Sequence, residues 1–447
     1  MLVLGKVGTG KSTHFAMPNL YHLQNASMVV LDTSGEIYAQ TAGDLQRRGF
    51  DLQVLDLMSL TQGMRYNPLA ACKDSLDRHK VCDSIIRAAG LNAGDRFWDA
   101  GAIKVLRVLA SVLSNEDPKL CNLVNIRSLL ARFDVFSAPA GQSVLERYVL
   151  EHTQADAPTL EDYRALVNGN PNTVLSFVST ADTALSMMAS DSIATLTAES
   201  SFDFQSLRRR PTALFVKVRQ QEMEFFQFLL NQFFADLFDA LRAELPTAND
   251  LSVFCLLDEW GHLEVPGFDA FMATARKYRV GCMIFLQALE QLEARYGKAK
   301  AMTIRQSMLT EAYFGGVDLE VAKQLERRLG RRRIPLVQQG QTLHREENLM
   351  NEDEIIRLPD GKVLVFNANQ EGFLQDVRPF YKTARLRRAA NLPPAPVPTA
   401  GTVWPSVRPR LDELARVLQP ERSKPLPERT QAGQGTPSSN RREYFGP

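Results

Sequence analysis

The sequence predicts an α/β protein with a mainly parallel central sheet and an inserted all-α domain. Three observations support this fold class. Apolar runs of strand length alternate with helix-length segments near the start of the chain, which is typical of parallel sheets with helices on their faces. Such runs become scarce between about residues 74 and 200 and then return. A glycine-rich loop directly follows the first run.

Composition limits the classes of protein to which the chain can belong. Its 447 residues are 45% hydrophobic and 23% charged, with a formal net charge of +1. This near-neutral balance argues against a protein that coats nucleic acid along its whole surface. The five cysteines show no C-x-x-C spacing, so we expect neither disulfides nor a zinc site. The longest apolar runs fall far below the ~18 residues of a membrane span, and we expect the chain as it stands to be cytoplasmic.

The opening loop carries the most specific motif. Residues 5–12, GKVGTGKS, fit the pattern G-x-x-x-x-G-K-[ST]. Glycines allow positive φ there, so that consecutive backbone N–H groups point at phosphate oxygens. Lys11 is expected to reach the β- and γ-phosphates, and the Ser12 hydroxyl is expected to bind Mg²⁺. The residues predicted to bind a nucleotide are Gly5, Gly8, Thr9, Gly10, Lys11, Ser12 and Thr13.

A second predicted strand, SMVVLD at residues 27–32, is followed by a helical segment and by a third strand, FDLQVLDL. This order predicts parallel pairing. Asp32 and Glu36 would lie at the carboxyl end of the second strand, where ligands of open α/β sheets bind. Alternatively, Asp32 caps the following helix. We assign residues 1–73 to the first part of the nucleotide-binding domain.

The middle of the chain has a different pattern. Residues 74–200 place apolar residues at three- and four-residue intervals, which predicts amphipathic helices. We therefore expect this stretch to form the inserted all-α domain. The aromatic pair Phe97 and Trp98 fits a core position better than a platform on which cargo stacks. The sheet is expected to resume in residues 201–387, the second part of the nucleotide-binding domain.

The second half of the nucleotide site is predicted from the apolar run VFCLL, which ends in Asp258 and Glu259. A buried strand that ends in a carboxylate pair is the acidic partner that a phosphate loop needs. Asp258 can hold the hydration shell of Mg²⁺, and Glu259 can polarise the attacking water. The two motifs together predict a site that hydrolyses nucleotide.

Two further polar residues follow the acidic pair. Arg276 lies in a predicted helix, FDAFMATARKY, and Gln287 ends the next predicted strand, CMIFLQ. Gln287 could sense the γ-phosphate through hydrogen bonds, or it could simply end a strand. Arg276 could stabilise transition-state charge in a neighbouring subunit, or it could form a surface ion pair.

Basic clusters at residues 208–210 and 327–333 could line a pore that follows phosphate backbones, or they could be solvated surface. No base-reading module is visible in the sequence, so any nucleic-acid contact is expected to be nonspecific. From residue 388 the chain is rich in proline and polar residues, and residues 388–447 are predicted to form a disordered tail. A short helix around LDELARVL could dock on a partner.

Residues 256–297 resemble the acidic strand, arginine helix and glutamine strand of type IV secretion coupling proteins, the hexameric ATPases of conjugation and effector export. The resemblance covers about residues 1–385, and it implies a RecA-like P-loop NTPase core with ATP and Mg²⁺ as cofactors. The other matching blocks are LVLGKVGTGKST, VVLDTSGEIYAQTAGDLQRRG, RYNPLA, FWDAGAIKVL, FGGVDLEVAKQLERRLG and EDEIIRLPDGKVLVFNA.

The resemblance also implies roles for individual residues. Arg276 falls where an arginine from the adjacent protomer is expected, and Gln287 falls where the family has its sensor glutamine. The residues that match the hydrolytic set are Lys11, Ser12, Asp258 and Glu259. The catalytic residues would therefore be Lys11, Glu259, Arg276 and Gln287, with Ser12 and Asp258 at the metal.

By the same resemblance the chain is expected to form a homo-oligomer, a hexameric ring, that feeds cargo into a type IV secretion channel. The cargo would be single-stranded DNA with its relaxase, protein effectors, or both. Family members act at the cytoplasmic face of the bacterial inner membrane and carry transmembrane helices before the phosphate loop. We expect a truncated form whose membrane part is absent or is supplied by another polypeptide. Residues 32–36, DTSGE, also lack the family's usual proline and lysine.

Two other functions are open at this point. A soluble DNA-translocating ATPase of the chromosome-segregation or repair type would need no membrane part, although the stretch from ATARKY to EARYG favours a coupling protein. A nucleotide-binding cargo adaptor would not need the hydrolytic residues, which are all present.

Overall fold

The computed structural model describes residues 1–90, 96–133, 143–338, 341–397 and 404–418. Nine strands form one central sheet, and two further strands form a separate hairpin. The strands are β1 (Leu2–Leu4), β2 (Ala26–Asp32), β3 (Asp51–Asp56), β4 (Thr212–Lys217), β5 (Ser252–Leu257), β6 (Val280–Leu286), β7 (Thr310–Tyr313), β8 (Arg331–Gln338), β9 (Gln341–Asn348), β10 (Lys362–Asn367) and β11 (Phe373–Asp376).

The sheet is parallel over most of its width. Its strand order is β11-β10-β7-β1-β6-β5-β2-β4-β3. All pairs from β7 to β3 in this order are parallel, whereas β10 pairs antiparallel with β7 and β11 pairs antiparallel with β10. Every residue of β2 is buried, as expected for a parallel strand covered on both faces. The predicted α/β fold with a mainly parallel sheet is confirmed.

Helices cover both faces of the sheet. Among the described residues, no helix is both long enough and apolar enough to cross a lipid bilayer. The helices are α1 (Met17–His22), α2 (Glu36–Arg47), α3 (Ser75–Ala89), α4 (Arg96–Glu116), α5 (Leu123–Leu130), α6 (Val144–His152), α7 (Ala157–Val167), α8 (Pro171–Ala184), α9 (Asp191–Thr197), α10 (Ser206–Arg209), α11 (Gln227–Arg242), α12 (Phe268–Thr274), α13 (Glu290–Gln306), α14 (Leu319–Leu329), α15 (Glu352–Ile356), α16 (Ala384–Ala390) and α17 (Arg408–Leu418).

Each face of the sheet has its own hydrophobic core. On one face, Met28 and Val30 of β2 belong to the core that includes residues of α1, α2 and α16. On the other face, Val29 and Leu31 belong to a much larger core that continues into α3, α4 and α11. This alternation follows from the two-residue period of a strand, which sends successive side chains to opposite faces.

Between β3 and β4 the described residues form helices and no strand. The expectation that Phe97 and Trp98 lie in the core is wrong for Phe97, which is 57% exposed. The reason is the packing of Phe177, whose ring lies directly against Gly101. A Cβ atom at position 101 would lie only 2.2 Å from that ring. Phe177 therefore takes the position between α4 and α8, and Phe97 and Trp98 pack edge-on against its outer side.

Part of the segment predicted to be a disordered tail is folded. α17 packs against α6, with Leu411 and Leu414 buried. The side chain of Asn125 donates to Pro405 O at 3.1 Å and accepts from Val407 N at 3.1 Å. The predicted helix exists, but it docks on its own chain because its leucines form an apolar stripe. Residues 398–403 and 419–447 lie outside the described residues.

One of the three arginines in the first basic cluster is buried, whereas Arg209 and Arg210 are exposed. Arg208 is only 6% exposed and donates to the carbonyl oxygens of Leu251 at 3.0 Å and Leu241 at 3.1 Å. Arg210 pairs with Asp51 at 2.8 Å. Arg208 therefore satisfies buried carbonyl groups next to β5, a structural role that a charge run in the sequence does not distinguish from a solvated one.

A buried carboxyl group on α11 makes the stability of the fold depend on pH. Burial raises the pKa of Asp236 to about 6, although hydrogen bonds from Tyr66 and Gln232 oppose the shift. A raised pKa means that the folded state holds the proton more tightly than the unfolded state, so stability falls as pH rises from about 4 to about 6. We expect Asp236→Asn to stabilise the protein by about 1–3 kcal/mol at pH 7 to 8, measured by urea unfolding. The gain should vanish below about pH 4; an equal gain at both pH values would contradict the assignment.

Candidate functional site

The phosphate loop directly follows β1. Gly8 has φ 83° and Gly10 has φ 81°, a region that side chains with a Cβ rarely adopt. A single π-helical turn, Ser12–Ala16, then leads into α1. The loop is folded on itself, because the Thr13 hydroxyl donates to Gly10 O at 3.0 Å and the Thr9 hydroxyl donates to Lys6 O at 2.9 Å.

Lys11 joins the loop to the acidic pair. Its side chain is only 7% exposed, and its Nζ lies 3.7 Å from Oε1 of Glu259. The same ammonium donates to Gly5 O at 2.6 Å. Two motifs that are about 250 residues apart in sequence thus meet at one point. An ammonium between a carboxylate and a carbonyl oxygen is suited to receive a further anion.

The strand order explains this meeting. β1, β6 and β5 are consecutive in the sheet and parallel, so their carboxyl ends lie at the same edge. Gln287 follows β6, between the other two strands, and its Nε2 donates to Oε2 of Glu259 at 2.9 Å. Lys11 therefore faces one oxygen of Glu259 while Gln287 holds the other. The structure brings all three side chains together.

Asp258 occupies the neighbouring strand end. It is 7% exposed, and its Oδ2 accepts a hydrogen bond of 3.0 Å from the Thr33 hydroxyl. Burial and the adjacent charge of Glu259 raise the pKa of Asp258 to about 6, although Thr33 and Lys11 lower it. A bound cation would offset much of the energetic cost of a buried negative charge at Asp258. Oxygen donors such as those of Asp258 and Ser12 are the ligands that Mg²⁺ prefers.

Glu259 is held in an unusual backbone conformation. Its φ of 49° and ψ of 37° are left-handed, which costs about 1–3 kcal/mol for a residue with a Cβ. The following 3₁₀ turn, Trp260–His262, anchors it because Trp260 is fully buried. The same turn brings Nε2 of His262 to 3.9 Å from Oε2 of Glu259. The rings that pack against Trp260 are those of Phe234, Phe238 and Phe268.

Sequence reasoning missed Thr33 and His262 as members of the site. Thr33 directly follows β2, the other neighbour of β5, so the rule that ligands gather at carboxyl strand ends could have found it. His262 lies three residues after Glu259, one turn of a 3₁₀ helix, but nothing in the sequence indicates that turn.

The two interpretations of Asp32 can now be separated. Asp32 is fully buried and accepts hydrogen bonds of 2.8 Å from the backbone N–H groups of Gly35 and Tyr38. Its side chain therefore accepts from N–H groups at the start of α2, whose N-cap residue is Gly35, and this favours the capping interpretation. Burial raises the pKa of Asp32, and the backbone N–H groups lower it. Glu36 is exposed on the first turn of α2.

Arg276 is not part of this site within its own chain. It lies exposed in the 3₁₀ turn Ala275–Tyr278, just before β6 begins. The seven residues of β6 span ~23 Å, and Gln287 lies at the other end. Arg276 is thus at the opposite edge of the sheet from Lys11, several lengths of an arginine side chain away.

Residues 1–393 match the family model described as type IV secretory system conjugative DNA transfer. The chain belongs to this family. The resemblance seen in the sequence is therefore confirmed over nearly nine-tenths of the chain.

Among curated proteins, the VirD4 proteins of Rhizobium radiobacter and Agrobacterium fabrum are each 22% identical to the chain over 343 residues. The match covers 74% of this chain and 48% or 49% of those proteins. The chain thus spans about half the length of the curated relatives that it matches.

Solved structures of the conjugative coupling protein TrwB share the fold. The unbound form of TrwBdeltaN70 superimposes with a TM-score of 0.63 and 19% identity, over 84% of each chain. TrwB in complex with ADP and Mg²⁺ gives a TM-score of 0.61, and TrwB with a non-hydrolysable ATP analogue gives 0.60, each at 19% identity over 84% of both chains. The RecA-like P-loop core that the sequence predicted is confirmed.

Proposed function

We propose that the chain is an ATP-hydrolysing coupling protein that recruits DNA–protein or protein cargo and drives it into a type IV secretion channel. The observation that carries this proposal is the contact between Lys11 and Glu259, since it joins a phosphate-binding loop to a carboxylate that can polarise water. Membership of the conjugative DNA transfer family supports the proposal that hydrolysis drives the transfer of cargo. The TrwB complexes with an ATP analogue and with ADP and Mg²⁺ support ATP and Mg²⁺ as cofactors.

The residues divide the chemistry between them. Lys11 and the backbone N–H groups of residues 5–13 bind the phosphates. Ser12 and Asp258 would hold Mg²⁺, which would neutralise phosphate charge when bound. Glu259 polarises the attacking water. Gln287 orients Glu259 through its 2.9 Å hydrogen bond, and this hydrogen bond is the route by which Gln287 senses the γ-phosphate.

Arg276 acts on the nucleotide of a neighbouring protomer. Its place at the amino-end edge of the sheet prevents it from reaching the site of its own chain, as described above. A head-to-tail arrangement would bring the amino-end edge of one protomer to the carboxyl-end edge of the next. Repetition of that contact forms a ring when the rotation between protomers closes on itself, and we propose that it closes as a hexamer. A guanidinium supplied in trans stabilises charge on the transferring phosphoryl group.

We expect mixtures of two inactive variants to show that Arg276 and Glu259 of one site come from different protomers. Arg276→Ala and Glu259→Gln chains should each be nearly inactive alone. Mixed in equal amounts, they should recover a measurable fraction of wild-type ATP turnover, because a Glu259→Gln chain supplies Arg276 to a neighbour that retains Glu259. The measurement is steady-state phosphate release across a series of mixing ratios.

A matched control mixes Glu259→Gln with Lys277→Ala, which removes the cation next to Arg276 on the same exposed turn. Lys277→Ala alone should keep most of the activity. Absence of recovery at every ratio of the Arg276 and Glu259 variants would contradict the trans assignment and leave Arg276 as a surface residue.

The partners and location follow from the proposed role. The cargo would be single-stranded DNA with its relaxase, protein effectors, or both, delivered to secretion channel components at the cytoplasmic face of the bacterial inner membrane. Single-stranded DNA should stimulate ATP turnover, and delivery should require the channel. Stimulation by DNA with full biological activity in cells that lack the channel would instead favour a soluble DNA pump.

A further inference from the structure

A concave groove of about 670 Å³ lies on the sheet face that carries α1, α2 and α16. It is formed by the end of α1, the last turn of α2 and one side of α16. α2 runs from the carboxyl end of β2 to the residues before β3, so its last turn lies at the amino-end edge of the sheet. The groove is therefore separate from the site around Lys11 and Glu259.

Four guanidinium groups line this groove against one carboxylate. The carboxylate is that of Asp44, which is 3% exposed. Arg47 contacts one of its oxygens, and Arg48 lies 3.4 Å from the other. Arg48 is fixed further by a hydrogen bond of 2.9 Å to Leu20 O. The buried carboxylate of Asp44 is therefore already paired with Arg47 and Arg48. The groove as a whole carries an excess of positive charge.

The surplus is greatest on α16. Arg385 and Arg388 are three residues apart on this helix, so they lie on the same side of it. Both are exposed, and neither has a carboxylate within ion-pair distance in the described part of the chain. Residues 378–388 contain five basic residues and no acidic one. Like charges gathered in a groove attract a polyanion.

We propose that this groove binds the phosphate backbone of single-stranded nucleic acid without reading its bases. The proposal rests on the proposed function and adds a contact site to it. Guanidinium groups bind phosphates in a bidentate manner, and a concave groove suits a chain that runs through it better than a flat bilayer. The groove offers no stacking platform, because the ring of Tyr21 is only 4% exposed and its hydroxyl donates to Gln40 O at 2.8 Å.

The test is the binding of a fluorescent oligothymidine of about 30 nucleotides, measured by anisotropy without nucleotide over a range of salt concentrations. We expect the double variant Arg385→Ala/Arg388→Ala to bind about tenfold more weakly at about 100 mM salt. The slope of log affinity against log salt should become shallower by about 1.4, since each lost phosphate contact on a single strand contributes about 0.7.

The matched control is Lys298→Ala/Lys300→Ala, which removes the same charge from two exposed positions on α13. It should leave affinity within about twofold and the slope unchanged. Both double variants should keep wild-type ATP turnover in the absence of nucleic acid, which shows that they are folded.

Three results would overturn the proposal. The first is an equal loss of affinity in both double variants, which would assign binding to overall charge. The second is unchanged oligothymidine binding with loss of binding to phosphatidylglycerol vesicles, which would assign the groove to a membrane surface. The third is no oligothymidine binding by the wild-type protein. Absence of ATP turnover in the wild type would reject the proposed function but not the groove, because binding is measured without nucleotide.

Discussion

Replacement of Lys11 by alanine is expected to abolish ATP turnover, with a loss of at least ~10²–10³-fold, the scale found when one pre-organised donor to a developing charge is removed. Lys11 is buried and points between Gly5 O and Glu259, so that its ammonium is positioned before the nucleotide arrives. No other lysine or arginine is recorded within ion-pair distance of Glu259 among the described residues. The loss is measured as steady-state phosphate release, with nucleotide affinity measured separately.

The matched control is Lys6→Ala, which removes an exposed lysine from the same loop. It should retain turnover within about threefold, because the observed contacts of this residue are made by its backbone carbonyl. Thermal unfolding of both variants should show that the fold is retained. Wild-type turnover at or below that of Lys11→Ala would favour a nucleotide-binding cargo adaptor, and unchanged turnover in Lys11→Ala would contradict the site itself.

Glu259→Gln is expected to reduce kcat by ~10²–10³-fold while nucleotide affinity stays within about threefold, since a general base contributes about 10²–10⁴-fold. Glutamine has the same shape as glutamate and can still accept the hydrogen bond from Gln287, but it cannot polarise water as a carboxylate does. Removing its charge also relieves repulsion with Asp258, whose pKa the charge of Glu259 raises. Single-turnover hydrolysis separates this loss from any change in binding.

Glu264→Gln provides the matched control, because Glu264 is exposed and lies five residues further along the same segment. It should behave as wild type. A Glu259→Gln protein that loses nucleotide binding together with turnover would indicate that Glu259 holds the metal or the loop in place, and the assignment of Glu259 as the base would then be wrong.

Local patterns were sufficient where the chemistry resides in contiguous residues. The phosphate loop and the carboxylate pair were predictable because a glycine-rich turn after a strand, and an acidic pair at the end of one, each need only a few neighbours. Patterns were insufficient where a contact depends on long-range packing. Phe97 was predicted to be buried, but Phe177 on a different helix takes the position beside Gly101. The helix α17 was foreseen, but the surface on which it docks was not.

Charge patterns were similarly ambiguous. Arg208 stands in a run of three arginines, yet it is buried and satisfies backbone carbonyl groups. No pattern in the sequence distinguishes Arg385 and Arg388 from other surface arginines. They nevertheless line a groove in which the carboxylate of Asp44 is already paired. A linear run of basic residues reveals neither burial nor counter-ions, since both depend on which elements pack nearby.

The sequence by itself identified the side chains that we propose bind phosphate and activate water, because those groups lie in short segments with a recognisable order. It also determined a parallel sheet, through apolar runs that alternate with helices. Only the tertiary structure decided that β6 lies between β1 and β5, which places Gln287 against Glu259 and moves Arg276 to the far edge. The reason is that strand order is settled by side chains that pack across the whole sheet, and no single segment carries that information.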